Sequence, residues 1–377
     1  MRNVVIAGYA RSPFHFAGKG ALARVRPDEL LAAVVQGLMK KTGVPAEDIE
    51  DLIVGCAMPE GEQGLNVARL VGLLAGLPQS VAGATVNRFC GSSMQAIHIA
   101  AGAIQLGAGE AFLCGGIESM SRIPMGGFNP LPNPALAAHS AAYMSMGETA
   151  ENLARKYKIG RERQEKLAVD SHARASAAAA AGKFDEEIIP ITSGNQTIDK
   201  DGCIRPSTDL KTLAELKPAF DANGSVTAGT ASPLTDGAAC VLVVSEDYAK
   251  AHGLAALARL KSVAVAGCAP EIMGIGPVAA TEKALKRAGL AIGDIDVVEL
   301  NEAFAVQALA CMDALKIDWA RTNLDGGATA LGHPLGATGA RITGKAAQLL
   351  KREGKKFALS TQCIGGGQGI TTIMEAV

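Results

Sequence analysis

The feature that most restricts how this chain can fold is that it reads twice. AEDIEDLIVGC, from Ala46, resembles IGDIDVVELNE, from Ile292, and sets Ile49 opposite Ile295 at an offset of 246 residues. Carried forward, that offset places Phe89-Cys90-Gly91-Ser92-Ser93 opposite Leu335-Gly336-Ala337-Thr338-Gly339. Both are small-residue turns that open helical patterns, MQAIHIAAGAI and ARITGKAAQLL. Further on, AFLCGG (111–116) faces FALSTQCIGGG (357–367), with a slip of a residue or more. Three matches in one order imply an internal duplication, two similar βα units forming a pseudo-symmetric pair.

Within each half, apolar runs alternate with helical patterns. VVIAGYA precedes a helix opened by Pro27 and Asp28, with Leu30, Leu31, Val34, Val35 and Leu38 on one face, and DLIVGCAM follows. Such alternation predicts an α/β fold with a largely parallel, helix-covered sheet. The rhythm breaks from Ser121 to about Leu234, which starts with SRIPMGGFNPLPNP and holds an Ala-rich helix from about Arg161 to Ala181, stopped by Gly182. So long an insertion in a compact protein is expected to be a binding element. The expected division is 1–120 plus about 235–258 as the first half, 121–234 as the inserted loop domain and 259–377 as the second half.

Composition excludes several classes. A net charge of -1 gives no field for capturing nucleic acid or an anionic membrane. The first apolar run, Val4 to Ala10, is too short to span a membrane or serve as a signal segment, so the expectation is a cytoplasmic protein. Eight cysteines without CxxC or Cys/His spacing suggest neither a metal site nor a disulfide scaffold.

Two cysteines stand apart from the apolar patterns. Cys90 in NRFCGSSMQAI directly precedes a helix, whose free N–H groups and dipole would lower its thiol pKa. His333 sits in the glycine-rich GGATALGHPLGATGAR, three residues before the position equivalent to Cys90, so the two could meet across the pseudo-twofold axis. Cys363 ends the apolar FALSTQ run with polyglycine behind it, and Asn301-Glu302 ends VVEL. Taken singly, each has a structural explanation: a helix start, a solvated loop, a glycine turn and a capping pair.

Together, NRFCGSSMQAI, GGIESMSRIPM, MGETAEN, VTAGTASPLTDGAA, NEAFA, GGATALGHPLGATGAR and CIGGGQG resemble the thiolase family in its own order along nearly the whole chain. The resemblance implies duplicated βαβ halves layered α/β/α/β/α. It implies thiolytic cleavage of 3-oxoacyl-CoA, or the reverse Claisen condensation, by an acyltransferase of fatty acid β-oxidation. Cys90 would be the nucleophile, His333 would take its proton, and Cys363 would be the acid/base at the acetyl C2 carbon. His333 and a water held by Asn301 would form one oxyanion hole, and the N–H groups of Cys90 and Gly365 the other. Met146, Arg205, Phe220, Ala228, Ser232, Ala303 and Phe304 would contact coenzyme A, a substrate; no metal or cofactor is called for. A homodimer or homotetramer is implied, with a hydratase/dehydrogenase partner compatible with it. Two departures matter: Pro233 follows Ser232 where short-chain members often have Gly, and Ser145 stands where acetoacetyl-CoA thiolases often carry His. The second points to the degradative branch. The alternatives are an acetoacetyl-CoA-specific biosynthetic thiolase, a non-catalytic acyl-CoA-binding relative and a cysteine hydrolase.

Overall fold

The apolar runs form strands and the periodic segments form helices. The computed structural model describes residues 2–377. The first half holds β1 (Val4–Arg11), β2 (His15–Phe16), α1 (Pro27–Thr42), β3 (Ile49–Cys56), α2 (Val67–Leu74), β4 (Ala82–Val86), α3 (Ser92–Leu106) and β5 (Ala111–Ser119). An excursion follows with α4 (Pro134–Ala137), α5 (Met146–Tyr157), α6 (Arg161–Ala180), β6 (Ile191–Ser193), β7 (Gln196–Ile198) and α7 (Leu210–Ala214). The chain returns through β8 (Thr235–Ser245) and α8 (Glu246–Ala251). Then come β9 (Ala258–Gly267), α9 (Gly276–Ala288), β10 (Val297–Leu300), α10 (Ala305–Leu315), α11 (Ala328–Leu331), α12 (Leu335–Glu353), β11 (Phe357–Ile364) and β12 (Gln368–Glu375).

The duplication is visible in the strand order, β4-β3-β5-β8-β1 followed by β9-β12-β11-β10. Each half has a parallel start, β3 beside β5 and β10 beside β11, and antiparallel strands toward the centre. The halves join where Val5 and Ile6 of β1 pair antiparallel with Arg259 and Ala258 of β9. Leu52 pairs with Leu113 in the first half and Val298 with Leu359 in the second, so both members keep the offset of 246. The expected slip between the β5 and β11 segments is therefore absent. A one-residue slip would turn every side chain of the strand to the opposite face, and both faces are buried.

Alternation divides the side chains between layers. In β8, Ala238, Cys240, Leu242 and Val244 pack with Leu30, Leu31, Val34, Val35 and Leu38 of α1, while Ala239, Val241 and Val243 face Ile97 and Ala100 of α3 and Ala340 and Ala347 of α12. Met94 and Ile342 carry the central helices onto Ile364 and Ile370 of the second half. Its far face is covered by Ala284 and Leu285 of α9 and Ala308 and Met312 of α10. The layering is α/β/α/β/α, as the resemblance implied.

The central helices touch nearly backbone to backbone. Ala340 N–H donates to Ser93 Oγ at 2.8 Å, and a Cβ on Gly339 would lie 2.3 Å from Met94 N. Ser93 and Met94 are the counterparts of Gly339 and Ala340 at the 246 offset, so this is one contact made twice about the pseudo-twofold axis. The excursion packs on both halves, with Ile191 and Ile198 in the core of the first. Ala150, Leu153 and Ala154 of α5 pack with Val306 and Ala310 of α10 and with Met273. A pocket is thereby formed between the two halves. Among the described residues, no helix is long and apolar enough to cross a membrane.

Gly339→Ala is expected to destabilise the protein by about 1–3 kcal/mol, because the helices must part. Gly102→Ala, on the open face of α3 with nothing within 4 Å of the added carbon, should stabilise by about 0.5–1 kcal/mol. Urea unfolding of both variants checks the pair, and equal effects would refute the close-approach account.

Candidate active site

Cys90 lies in a strained turn between β4 and α3. Phe89 has φ +44, a left-handed conformation costly for a non-glycine residue. The turn is held by Phe89 N–H to Asn87 Oδ1 (2.8 Å), Arg88 N–H to Ser92 Oγ (2.9 Å) and Ser92 Oγ to Phe89 O (2.6 Å). The nucleophile-like elbow expected from the sequence is present, but its expected acidity is not. Burial pushes the Cys90 thiol up to about 11, against the N–H groups of Gly365 and of Cys90 itself, which favour the thiolate. Removal from water outweighs the helix start.

His333 lies between α11 and α12, 4 % exposed, with its N–H bonded to Thr235 Oγ1 at 3.1 Å. Its Nδ1 is 2.6 Å from Thr338 Oγ1, and that hydroxyl donates to Pro334 O at 2.9 Å. With its proton engaged, the hydroxyl can only accept, so Nδ1 carries the imidazole proton and Nε2 is left basic. Asn301 Nδ2 stands 3.4 Å from Nε2, and Asn301 Oδ1 is buried without a partner. Burial, and then the charge of Arg341, lower the His333 pKa to about 3. The resting pair is therefore neutral thiol and neutral imidazole.

Cys90 and His333 both line an apolar pocket of about 240 Å³. Of the residues expected to bind coenzyme A, Met146, Phe220, Ser232, Ala303 and Phe304 line it as well. Phe220 meets Phe304 edge to face at 5.8 Å and 81°, and Ser232 bonds Ala303 O through both N–H and Oγ at 3.0 Å. Pro233 lines the pocket next to it.

The other expected residues lie outside those walls. Cys363 is fully buried in the cluster with Met273, Ala303 and Phe304. Its thiol is pushed well up, first by burial and then by Cys90. Gly365 is buried beside Met146 and Phe89, Ala228 is exposed in the turn before Ala231, and Arg205 sits over Phe16 at 5.8 Å, beside His172. Glu302 is a structural residue, holding Ser171, Asn323 and the Thr329 N–H from the interior.

Sequence reasoning passed over Glu118. Fully buried at the end of β5, it accepts from the N–H groups of Ala57, Met58 and Gly336 and from Gln63 Nε2 at 2.8–3.2 Å. It thus ties the β3 end to the start of α12, just after His333. Its place in GGIESMSRIPM was the available signal. Sequence reading also missed Met120 and Met125, which line the pocket beside Met146 and Met273.

Residues 4–247 match the family described as "Thiolase, N-terminal domain" and residues 254–376 match "Thiolase, C-terminal domain". The chain belongs to the thiolase family. This thiolase is 47% identical to the 3-ketoacyl-CoA thiolase of Bacillus subtilis over the full length of both chains. Its structure is similar to human mitochondrial 3-ketoacyl-CoA thiolase (TM-score 0.92, 40% identity, covering 100% of this chain and 99% of that one). It is equally similar to the Bacillus anthracis acetyl-CoA acetyltransferase (TM-score 0.92, 40% identity, the same coverage). Among the described residues of this thiolase, no group of three or more His, Cys, Asp or Glu side chains could hold a metal ion.

Because the thiol pKa is raised, the thiolate fraction of Cys90 should grow about tenfold per pH unit below it. Iodoacetamide alkylation of Cys90 in the free thiolase is therefore expected to accelerate from pH 6 to about pH 9 without a plateau. A plateau near neutrality would show a standing thiolate–imidazolium pair instead.

Proposed function

We propose that this thiolase cleaves 3-oxoacyl-CoA with coenzyme A to give acyl-CoA and acetyl-CoA, and runs the reverse condensation, through an acyl-Cys90 thioester. The observation that carries the reading is the meeting of Cys90 and His333 in one apolar pocket. The sulfur attacks the C3 carbonyl as its proton passes to His333 Nε2. Because both groups rest neutral, transfer accompanies attack and does not precede it. The oxyanion at C3 is held by the N–H groups of Cys90 and Gly365, which already favour charge on the sulfur.

Breaking the C2–C3 bond leaves an acetyl-CoA enolate. Once protonated, Nε2 is a donor, and with a water on Asn301 it holds the enolate oxygen. The unpartnered Asn301 Oδ1 supports that role. Cys363 S–H protonates C2, and its high thiol pKa suits an acid that stays protonated until a carbanion forms beside it. Coenzyme A then attacks the thioester, giving its proton to Cys363, while His333 returns its proton to the departing Cys90 sulfur.

Met146, Phe220, Ala228, Ser232, Ala303, Phe304 and Arg205 are proposed to hold coenzyme A, with the 121–234 excursion as the binding element between halves 1–120 plus about 235–258 and 259–377. We place the enzyme in cytoplasmic fatty acid β-oxidation as a homodimer or homotetramer, for which the open edge of β4 offers unpaired backbone. A hydratase/dehydrogenase partner fits that role.

Chain length favours the degradative branch. Ser145 lines the pocket but has its hydroxyl on Glu148 Oε2 (2.6 Å) as a helix cap, so it leaves space where an imidazole would project. The neighbouring Met120, Met125, Met146 and Met273 are flexible and adapt to a variable chain, and each buried methylene adds about 0.8 kcal/mol. Of the side chains able to refill the space, Met273 does line it, while Tyr143 Oη and Met144 Sδ accept from Asn133 N–H and Asn152 Nδ2.

Cys90→Ser should fold and take no acetyl label from acetyl-CoA by mass spectrometry, and undiminished labelling would remove Cys90 as nucleophile. Cys363→Ala should still acylate Cys90 but lose deuterium exchange at the acetyl C2 carbon. Across four- to ten-carbon 3-oxoacyl-CoA substrates, kcat/KM should be at least as high for the longer chains, and Ser145→His should shift it toward acetoacetyl-CoA. A preference of about tenfold or more for the four-carbon substrate, unmoved by Ser145→His, would establish the acetoacetyl-CoA-specific alternative.

A further inference from the structure

The geometry points to Gln362 as a positioning residue that sets the Cys90 elbow against the strand and turn carrying Cys363 and Gly365. This rests on the acyl-Cys90 reading and assigns a role to a residue outside it. Gln362 is fully buried on β11, immediately before Cys363, and its Nε2 donates to the Cys90 carbonyl at 2.8 Å. Among the described residues, that is the only hydrogen bond the carbonyl receives, since the first α3 bond from this turn runs from Gln95 N–H to Gly91 O. The other end, Gln362 Oε1, is buried without a partner. A glutamine kept fully from water for one hydrogen bond, with its oxygen unpaired, carries a cost that a plain apolar side chain would avoid.

What that bond fixes is a relation between two segments. The N–H groups of Cys90 and Gly365 belong to different parts of the chain, the elbow after β4 and the turn after β11, yet both act on the same sulfur. Gly91 meets Ile364 of β11 through apolar contact, a Cβ there lying 2.6 Å from Ile364 Cδ1, and the elbow's bond to β12, Arg88 Nη1 to Gln368 Oε1 at 2.8 Å, runs between side chains two residues before Cys90. Apolar contact is non-directional. The Gln362 amide supplies direction: it grips the carbonyl of the nucleophile itself, next to a left-handed Phe89 from which the turn could otherwise relax. Losing it frees the Cys90–Gly91 peptide to rotate, and the turn relaxes through φ and ψ of Cys90, so that the Cys90 N–H, in the preceding peptide, loses its aim at the developing oxyanion. Substrate binding rests on other walls of the pocket, Met146, Phe220 and Phe304 among them, and is left alone.

The test compares the parent with Gln362→Met and Gln362→Glu, using acetoacetyl-CoA with coenzyme A for steady-state thiolysis and rapid-quench mass spectrometry for acyl-Cys90 formation. Gln362→Met keeps the volume and removes both the bond and the unpaired oxygen. Its kcat and acylation rate should fall about tenfold to a hundredfold, with KM within about threefold. Parental acylation by Gln362→Met would overturn the assignment. Absence of acyl-Cys90 in the parent would instead overturn the underlying reading. Gln362→Glu can donate to the carbonyl only while protonated. Its activity should be retained at low pH and lost as pH rises through the carboxyl pKa, a limb absent from the parent. A Gln362→Glu profile parallel to the parent's would also overturn the assignment, and this decides it if Gln362→Met does not fold.

Discussion

The near backbone contact of α3 with α12 is the constraint on which the rest of the molecule depends. Ser93 against Ala340 and Met94 against Gly339 are the same contact on either side of the pseudo-twofold axis. A small residue on at least one side of each pair permits it, and Gly336 brings α12 as close to the strands, since a Cβ there would lie 2.4 Å from Ile117 O of β5 and 2.7 Å from Gly55 O of β3. Cys90 stands two residues before the first residue of α3, and His333 two residues before that of α12. Bringing the two helix starts together is therefore what brings thiol and imidazole to one pocket. A side chain at Gly336 or Gly339 would separate them before it disturbed either residue directly.

Such a central layer leaves α12 no face for water from Leu335 to Ala347, and the helix nevertheless carries charge there. Arg341 bonds Glu299 at 2.8 Å, and Lys345 bonds both Glu187 and Asp325 at 2.8 Å, with every one of these side chains buried. Arg11 on β1 completes the cluster with Glu187 and Asp201 at 2.7 Å. Burying an unpaired charge is costly, so these residues demand one arrangement of α12, β1, β10 and the excursion. The excursion contributes Glu187, which ties it to α12, the helix that follows His333, and Asp201, which ties it to β1. Arg341 also bears on chemistry, since its charge is the second cause of the low His333 pKa.

The electrostatics of the site follow from dryness. Cys90, Cys363 and His333 are each held in their neutral forms by removal from water. In the proposed reaction, fixed N–H groups would act on the oxyanion at short range in a poorly screening medium. The same dryness makes orientation valuable, because a misaligned donor is not replaced by solvent.

Much of this was legible in the chain. The duplication, the α1 face from Leu30 to Leu38, the α6 helix ending at Gly182, and the candidates Cys90, His333 and Cys363 could be read from order and periodicity, because these are properties of local sequence and of its repetition. The β5–β11 register could not be read so surely: it is fixed by ladder partners in other strands, which kept the 246 offset where side-chain similarity had faded. Nor could the acidity of Cys90. The sequence showed a helix start, which favours the thiolate, whereas the burial that outweighs it is supplied by segments hundreds of residues away. Gln362 gave no local signal of its role, and Glu118 gave only its place in GGIESMSRIPM, since an amide or carboxylate acquires a task only when distant backbone groups are brought within 3 Å or so of it. The sequence by itself determined the elements, their repetition and the candidates for the reactive groups. The tertiary structure decided which of those atoms meet, in what protonation state and with which partners, because burial and hydrogen-bond geometry are set by packing between segments that are far apart along the chain.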